Sequence, residues 1–277
     1  MVGAPRWRQA PGIRLDAQDL LALRDEAYGA ARHRPATRRA GVAPSRLPGS
    51  GMDLREIRAY VPGDDPRRLD PSATARTGRP HVRALHEDRD DITLLIADFR
   101  PAMLWGTGPQ LRSVAAARHL AHAGWQAVAR QGAVGLVAMG AGQVLSIPPG
   151  AGDAQMAAIC TMMADRHRAA LDDPGPDLPL TEALALAARL APPGARILLA
   201  TAPDGCAGAD ALLTRLARGR RLEVALMLDP LDVSPPARAM PVALEGRPLV
   251  ARLAPVDLGD HIARLAAMGA TALKVAP

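Results

Sequence analysis

From residue 91 onward, short apolar runs alternate with stretches of helical periodicity, and this alternation restricts the possible fold more than any other feature. Residues 92–97 read Ile-Thr-Leu-Leu-Ile-Ala, which is typical of a strand buried on both faces of a parallel sheet. Strand-like runs recur at 133–139, 143–147, 196–200, 222–228 and 271–275. The pattern predicts an α/β domain over 91–277, with a mostly parallel sheet and helices on both faces.

The predicted helices of this domain carry apolar residues at every third or fourth position. The longest covers about 109–130, and its His119 and His122 project away from the apolar stripe, beside Arg112. We interpret that side as a solvated face rather than a metal site. The other predicted elements are helices near 153–171, 181–191, 208–218 and 257–268, and a hairpin over 243–253.

The N-terminal region, residues 1–52, carries most of the positive charge. It holds nine arginines against four acidic residues, in a chain whose net charge is +6. A helix is predicted over 16–30, with Asp16 as its N-cap. The Arg-, Pro- and Gly-rich stretch that follows has no periodicity and predicts an exposed, mobile segment. Its arginines suit contact with phosphates, but no aromatic residues are interleaved for base stacking, so we expect a solubilising segment and consider nucleic-acid binding the weaker alternative.

The composition also predicts where the protein works. The two cysteines cannot build a disulfide framework, and they have no metal-site spacing. The first residues lack the apolar stretch of a secretory signal, and no run of about 18 apolar residues is present. We therefore expect a cytoplasmic protein that is not inserted in a membrane.

Residues 53–90 form a third region, dense in arginines and carboxylates. Val61-Pro-Gly-Asp64 predicts a turn, and Asp65-Pro66 predicts an N-cap and the first residue of one helical turn. Two interpretations stay open: an internal ion-pair knot that holds a loop-rich segment on the main domain, or a recognition surface that faces a partner. The candidate residues are Arg58, Tyr60, Asp64, Asp65, Arg67, Arg68, Asp70 and Arg76. We expect the knot for Asp70 and Arg76 and the surface for Arg67 and Arg68.

This region resembles the signature of the domain of unknown function 58 family. The shared pattern is Gly51-x-Asp-Leu-x-x-Ile-Arg-x-Tyr-x-Pro-Gly-Asp-Asp-x-Arg-x-Leu-Asp70, followed by Ala75-Arg-Thr-Gly78 and Val82-Arg83. The family usually has Glu-Phe in place of Asp53-Leu54, and Trp where this chain has Pro71. The resemblance implies a von Willebrand factor A-like domain after the signature.

Such a domain usually ends its first strand with Asp-x-Ser-x-Ser, whose carboxylate and hydroxyls bind Mg²⁺. Here the corresponding residues are Asp98, Arg100 and Ala102, and a later loop retains a hydroxyl at Thr181. Mg²⁺ requires a near-octahedral set of small oxygen ligands, which an arginine and an alanine do not supply. We therefore predict a degenerate metal site in which Asp98 pairs with Arg100, and no bound cofactor.

No phosphate-binding loop, dinucleotide fingerprint or nucleophile elbow occurs in the sequence. We expect a protein that is not an enzyme, although carboxylates such as Asp98 leave acid–base chemistry open as an alternative. Members of the family it resembles are often encoded beside MoxR-type AAA+ ATPases. The resemblance thus implies a protein-interaction module that acts with such an ATPase in maturing or remodelling a target complex.

Overall fold

A computed structural model describes residues 12–33, 54–61, 64, 66–85, 91–244 and 247–276 of the chain. The chain divides into two compact units. One combines the N-terminal residues up to 34 with 91–277, and the other is 35–90. The helix predicted within the 1–52 region therefore belongs to the large unit and not to a separate N-terminal region. The predicted mobile segment lies largely outside the described residues.

The large unit contains eight of the strands that the structure describes and seven of the helices. Its helices are α1 (Ala17–His33), α3 (Arg112–Ala129), α4 (Asp153–Asp172), α5 (Leu180–Leu190), α6 (Asp210–Ala217), α7 (Pro230–Val233) and α8 (Gly259–Ala267). Its strands are β3 (Ile92–Asp98), β4 (Ala133–Gly140), β5 (Gln143–Ala151), β6 (Arg196–Thr201), β7 (Arg221–Met227), β8 (Met240–Leu244), β9 (Arg247–Ala251) and β10 (Thr271–Val275).

Six of these strands form one central sheet in the order β10-β7-β6-β3-β4-β5. Every neighbouring pair is parallel except β4 and β5, which are antiparallel. Strands β3 and β6 lie at the centre, and their side chains are buried on both faces. This explains why they read as unbroken apolar runs, since neither face meets water. The predicted α/β fold with a mostly parallel sheet is confirmed.

Helices cover both faces of this sheet. Alternate strand residues such as Leu95 and Ala97 contribute to a core with α1, α3 and α4, and their neighbours Leu94 and Ile96 to a core with α5, α6 and α8. The N-terminal helix α1 packs on α3 and α4. The buried indole of Trp125 donates a hydrogen bond of 2.9 Å from Nε1 to the carbonyl of Leu20 on α1. None of the described helices is both long and apolar enough to span a membrane.

The smaller unit has more regular structure than the sequence predicted. In place of a loop-rich segment it contains β1 (Leu54–Ala59) and β2 (His81–Leu85), which pair antiparallel, and a helix α2 (Pro71–Thr77). The segment was predicted as loop-rich because its arginines and carboxylates leave no clear period of two. In β1, Ile57 is 41% exposed whereas Arg58 is half-buried, so the apolar residues do not mark a buried face.

The solvated face predicted on α3 is also wrong. His119 and His122 are half-buried, and only 11% of the Arg112 side chain is exposed. Desolvation by burial, together with the nearby His122 and Arg196, lowers the pKa of His119 below its usual value. The projection from sequence failed because the sheet, α1 and α4 surround α3 on most of its circumference.

A histidine of α4 is buried at the interface with α3. His167 is fully buried, and its Nε2 lies 3.0 Å from the Ser113 hydroxyl. Its Nδ1 has no hydrogen-bond partner among the described residues, and its ring makes an edge contact with Phe99 at 5.6 Å between centroids. Desolvation lowers the pKa of His167 to about 4, so the ring is neutral at physiological pH.

The histidine should make the fold acid-sensitive. Between pH 6.5, the ordinary pKa of histidine, and about pH 4, the unfolded chain binds a proton at His167 that the folded chain does not bind. The free energy of unfolding should therefore fall by up to about 1.4 kcal/mol per pH unit as the pH drops through this range. In His167→Gln this part of the slope should disappear, as measured by urea denaturation at a series of pH values. Equal slopes for wild type and His167→Gln would contradict the prediction.

Candidate functional site at the carboxyl edge of the sheet

The carboxyl ends of β3 and β6 form the topological switch point of the sheet. β3 leads toward α3 on one face, whereas β6, its neighbour, leads toward α6 on the other. Ligands of open α/β sheets bind in the crevice that such diverging connections leave at the carboxyl ends of the strands. Here that position is occupied by Asp98, the last residue of β3, together with Arg100 and Thr201.

Arg100 binds the Asp98 carboxylate from two directions. Its Nε lies 3.0 Å from Oδ1 and its Nη2 2.8 Å from Oδ2, while its backbone N–H donates to Oδ1 at 2.9 Å. Thr201 at the end of β6 donates its hydroxyl proton to Oδ2 at 2.6 Å. Only 1% of the Asp98 side chain is exposed and 15% of the Arg100 side chain. Both carboxylate oxygens therefore have strong donors inside the protein.

The guanidinium also ties this strand end to the loop after β6. Arg100 Nη2 donates to the carbonyl of Gly205 at 2.7 Å. Burial on its own would lower the pKa of Arg100, but the hydrogen bond and negative charge of Asp98 outweigh it, and the pKa is raised. The arginine is thus a permanent cation that spans the crevice between β3 and β6.

The residues present do not fit a divalent cation at this point. Asp98 already holds a positive charge within hydrogen-bonding distance, and a second cation there would be repelled. Ala102 offers no side-chain ligand, and among the described residues no hydrogen bond connects Thr181, near the start of α5, with Asp98. Likewise, the described residues contain no group of three His, Cys, Asp or Glu that could hold a metal ion.

A second polar cluster at the same edge was missed by the sequence analysis. The buried Asp229, just after β7, accepts hydrogen bonds from the Thr107 backbone N–H at 2.7 Å, from the Thr107 hydroxyl, and from Leu231 N at 3.0 Å. Burial acts to raise the pKa of Asp229, but these bonds and the charge of Arg112 prevail, so the pKa is lowered. The cluster therefore fastens the loop between β3 and α3 to the end of β7.

Asp232 and Arg112 complete this cluster. Asp232 caps the short helix α7 by accepting from the Asp229 backbone N–H at 2.7 Å, and it pairs with Arg112. The Arg112 guanidinium in turn lies 4.7 Å from the centre of the Trp105 ring, within the range of a cation–π contact. The signal in the sequence was Asp229-Pro-Leu-Asp232, an N-cap followed by proline and an acid three residues on.

Neither cysteine is a reactive nucleophile. Cys160 and Cys206 are both free thiols. Burial raises the pKa of each to about 12, and for Cys206 the Asp98 carboxylate adds to this effect. Because the thiolate is the reactive form, neither side chain is activated at physiological pH.

In the smaller unit, the structure divides the predicted recognition residues into different roles. Arg58 binds Asp64 bidentately at 2.6 and 2.8 Å, and Asp64 also accepts from Val61 N at 2.8 Å. The carboxylate is thus held by the turn that the sequence predicted, which closes with the hydrogen bond from Asp64 N to Val61 O. Hydrogen bonds from Arg58 and Val61 lower the pKa of Asp64. The pair has the form of a structural knot at the start of the segment.

Asp70 has a local role in the fold. It is buried and caps α2, accepting from Ala73 N at 2.8 Å, while its backbone N–H donates to the carbonyl of His81 on β2. Arg76 lies exposed in the last turn of the same helix, without a hydrogen bond or ion pair to the residues that the structure describes. Asp70 and Arg76 thus stand at opposite ends of α2, and their sharing of one knot stays a prediction.

The predicted single helical turn is present as a 3₁₀ turn over Pro66–Arg68. Arg67 and Tyr60 lie at the surface of the unit, exposed and half-buried respectively. Asp65 and the side chain of Arg68 lie outside the described residues. A short turn thus presents Arg67 to solvent, as a recognition surface requires.

Comparison with known proteins agrees with the resemblance found in the sequence. The model of a family described as "Protein of unknown function DUF58" matches residues 56–191. Residues 56–191 belong to the DUF58 family. The match includes most of the small unit, the Asp98–Arg100 pair and helices α3 to α5.

Curated relatives share one segment of the chain. Uncharacterized proteins of Mycobacterium tuberculosis and Mycobacterium bovis are 46% identical to it over 61 residues. This segment is 22% of the present chain and only 19% of the length of those relatives. The chain therefore matches only a small part of those relatives, and what the full-length proteins do is not attributed to it.

Two solved structures from Bacteroides share a general similarity with the chain. The conserved hypothetical protein BatB from Bacteroides thetaiotaomicron is 18% identical, with a TM-score of 0.44 over 67% of this chain and 90% of that one. An aerotolerance-related membrane protein from Bacteroides fragilis is 16% identical, with a TM-score of 0.43 over 66% and 90%. Similarity at this level assigns no function to the DUF58 chain.

The Asp98–Arg100 pair should contribute strongly to stability. Arg100→Ala leaves a buried carboxylate with only the Thr201 hydroxyl and a backbone N–H, and loss of one partner of a buried ion pair costs about 3–5 kcal/mol. The denaturant midpoint should fall accordingly. Arg168→Ala, which removes an exposed i,i+3 partner of Asp165, should cost at most about 1 kcal/mol. Equal, small effects of the two substitutions would show that Arg100 does not neutralise Asp98.

Proposed function

We propose that this DUF58 chain is a cytoplasmic, non-catalytic protein-interaction module with a von Willebrand factor A-like large unit. In this proposal it acts with a MoxR-type AAA+ ATPase in the maturation or remodelling of a target complex. The proposal that the module is non-catalytic is supported by Arg100, which is held in place at the switch point of the sheet. Arg100 fills the position where a metal or substrate would be held, and it bonds the end of β3 and the loop after β6.

The other carboxylates support the same conclusion. Asp229 is saturated by Thr107 and Leu231 N–H, Asp64 is held by Arg58, and Asp70 caps a helix. A general acid or base requires a carboxyl group that can exchange protons with a substrate. These groups are engaged in hydrogen bonds that hold the fold, which disfavours the alternative of a carboxylate-dependent enzyme.

The ATPase partnership depends on the family and on the surface of the small unit. The 3₁₀ turn of residues 66–68 exposes Arg67 on a short, well-defined turn, and arginine is among the residue types that dominate binding energy in interfaces. Arg58 is paired with Asp64, and Asp70 caps α2, so these side chains are engaged inside the segment. We therefore place the ATPase contact at Arg67 rather than at the ion pair.

Divalent cations should not stabilise the protein. A ligand that binds only the folded state at a hundred times its Kd adds about 2.7 kcal/mol, which for a chain of this size raises the melting temperature by several degrees. Millimolar Mg²⁺ or Mn²⁺ should give no such shift in a thermal melt. A reproducible rise that Asp98→Ala abolishes would contradict the proposed replacement of the metal by Arg100.

The ATPase contact can be separated from the stability of the segment. Pull-down of a MoxR-type AAA+ ATPase from the same genome should weaken at least tenfold for Arg67→Ala, while the free energy of unfolding falls by at most about 1 kcal/mol, as for an exposed side chain. Arg79→Ala removes another exposed arginine of this unit and should bind as the wild type does. Asp70→Ala should lower stability by about 1 kcal/mol through loss of the helix cap, while its folded fraction still binds. If Arg67→Ala still retains the ATPase, the assignment of the ATPase contact to Arg67 is contradicted.

A further inference from the structure

The strand β5 lies at one edge of the central sheet, and no described strand pairs with its outer side. It follows β4 through the two-residue turn Ala141-Gly142, in which both residues have a positive φ. In such a hairpin the residues that flank the turn exchange both backbone hydrogen bonds, and the bonded pairs alternate from there. Gln143 and Leu145 therefore bond to β4, whereas the backbone N–H and C=O groups of Val144 and Ser146 point outward.

This open edge lacks the usual protection against pairing with another chain. Outside the sheet, Val144 and Ser146 make no backbone hydrogen bond to the described part of the chain. Natural proteins protect such edges with charged side chains, prolines or short strands. Between Gln143 and Ile147 the strand has neither a charged residue nor a proline. Pro148 follows at once and has no N–H to donate, so it limits an added strand to these few residues.

A groove of about 490 Å³ lies beside this edge, between β5 and the helix α4. Leu145 and Ile147 line it on the strand side, and Ala158 and Met162 line it on the helix side. Leu145 is 40% exposed. Residues at the same level of neighbouring strands point to the same face of a sheet, and successive residues point to opposite faces. A strand added to β5 therefore directs every second side chain into this groove, and those side chains must be apolar.

The lining of the groove also includes a cation that is bonded to a neutral group. Arg166 is half-buried and donates from Nη1 to the side-chain oxygen of Gln143 at 2.9 Å. Within the described residues it has no ion pair, because the adjacent carboxylate of Asp165 pairs with Arg168. Asp173, beyond the end of α4, accepts from a backbone N–H of its own turn. A guanidinium in this state favours a carboxylate as its ligand. Because Gln143 begins β5, that carboxylate belongs beside the turn end of the strand.

We propose that the groove between β5 and α4 binds an extended segment of another protein by strand addition. The backbone of that segment pairs with Val144 and Ser146, its alternate apolar side chains lie over Leu145, and a carboxylate at one end binds Arg166. In this mode of recognition, backbone hydrogen bonds give affinity and pockets for alternate side chains give specificity. The site belongs to the large unit and involves neither Arg67 nor the proposed ATPase contact.

A binding assay on the full chain tests the proposal. The probe is a fluorescein-labelled peptide in which valines and threonines alternate between a glutamate at each end, and binding is followed by fluorescence anisotropy. Wild type should bind it saturably, and Leu145→Asp should weaken binding at least tenfold. Val250→Asp changes a valine that is 72% exposed on the separate β8–β9 hairpin, and it should leave the affinity unchanged. Circular dichroism and thermal melts check that the variants fold. Absence of saturable binding, or equal binding by Leu145→Asp, overturns the proposal.

Methylated peptides test the backbone pairing separately from the side chains. In one version the threonine nitrogens are methylated, and in the other the valine nitrogens are. Because a strand directs alternate N–H groups to its two sides, strand addition predicts that one version binds at least tenfold more weakly and that the other binds as the parent peptide does. Loss in the threonine version indicates an antiparallel pairing, and loss in the valine version a parallel one. Equal affinities of the two versions overturn strand addition.

A charge exchange tests the role of Arg166. Wild type should prefer the peptide with glutamates at its ends over one with lysines there, and Arg166→Glu should reverse this preference. An unchanged preference in Arg166→Glu shows that the arginine does not bind the segment and overturns that part of the proposal.

Sedimentation of the protein alone identifies a competing occupant. Wild type and Leu145→Asp should have the same mass in solution. A wild-type dimer that Leu145→Asp dissociates would show that a second copy of this chain fills the groove, and it would overturn the proposal of another protein. These measurements contain no ATPase, so their outcome is independent of the Arg67 experiment.

Discussion

The buried ion pair between Asp98 and Arg100 is the interaction on which the carboxyl edge of the sheet depends. A carboxylate that is 1% exposed is unfavourable unless a cation and hydrogen-bond donors compensate for the lost water. Arg100 supplies the cation, and Thr201 supplies a hydroxyl from the neighbouring strand. Arg100 also donates to the Gly205 carbonyl. One side chain therefore neutralises the Asp98 carboxylate at the end of β3 and holds the loop that follows β6.

The Thr107–Asp229 cluster has the same effect on the other side of β6. It joins the loop after β3 to the end of β7 and carries the Arg112–Asp232 pair beneath Trp105. With both clusters in place, the loops after β3, β6 and β7 are each held by a bond from a side chain to a distant strand or loop. Loops over such an edge are often mobile when they close on ligands. Here they form a fixed platform, which suits a surface that binds a partner without a change of shape.

The sequence was most informative where burial alone determines the pattern. The strands β3 and β6 were located to within one residue at either end, because a central parallel strand must be apolar on both faces. The pairing of Asp98 with Arg100 was also predicted, since the two residues are adjacent in the strand-end motif and opposite in charge. Thr201, by contrast, was not among the residues predicted for this site. Its role depends on the parallel register of β3 and β6, which places the ends of two strands together from positions 103 residues apart.

The predictions that were wrong also have a common physical cause. Arg112 was assigned to a solvated face because arginine is rarely buried without a partner, and the partner, Asp232, lies 120 residues away. Strand β1 was not predicted, because the charged residues among its apolar ones left no clear period of two. In each case a charged side chain was judged by its own chemistry, whereas its position depends on a contact that only the folded chain creates.

On the proposed function, Arg100 stands in place of an exchangeable metal, and this has a consequence for how the module is controlled. A metal-dependent contact changes strength with cation concentration, because the ion must bind before the partner does. The guanidinium of Arg100 is covalently attached and stays charged at any physiological pH, so its edge of the sheet has one state. On the proposed function, control of binding therefore falls to the partner, through the nucleotide state of the ATPase at Arg67.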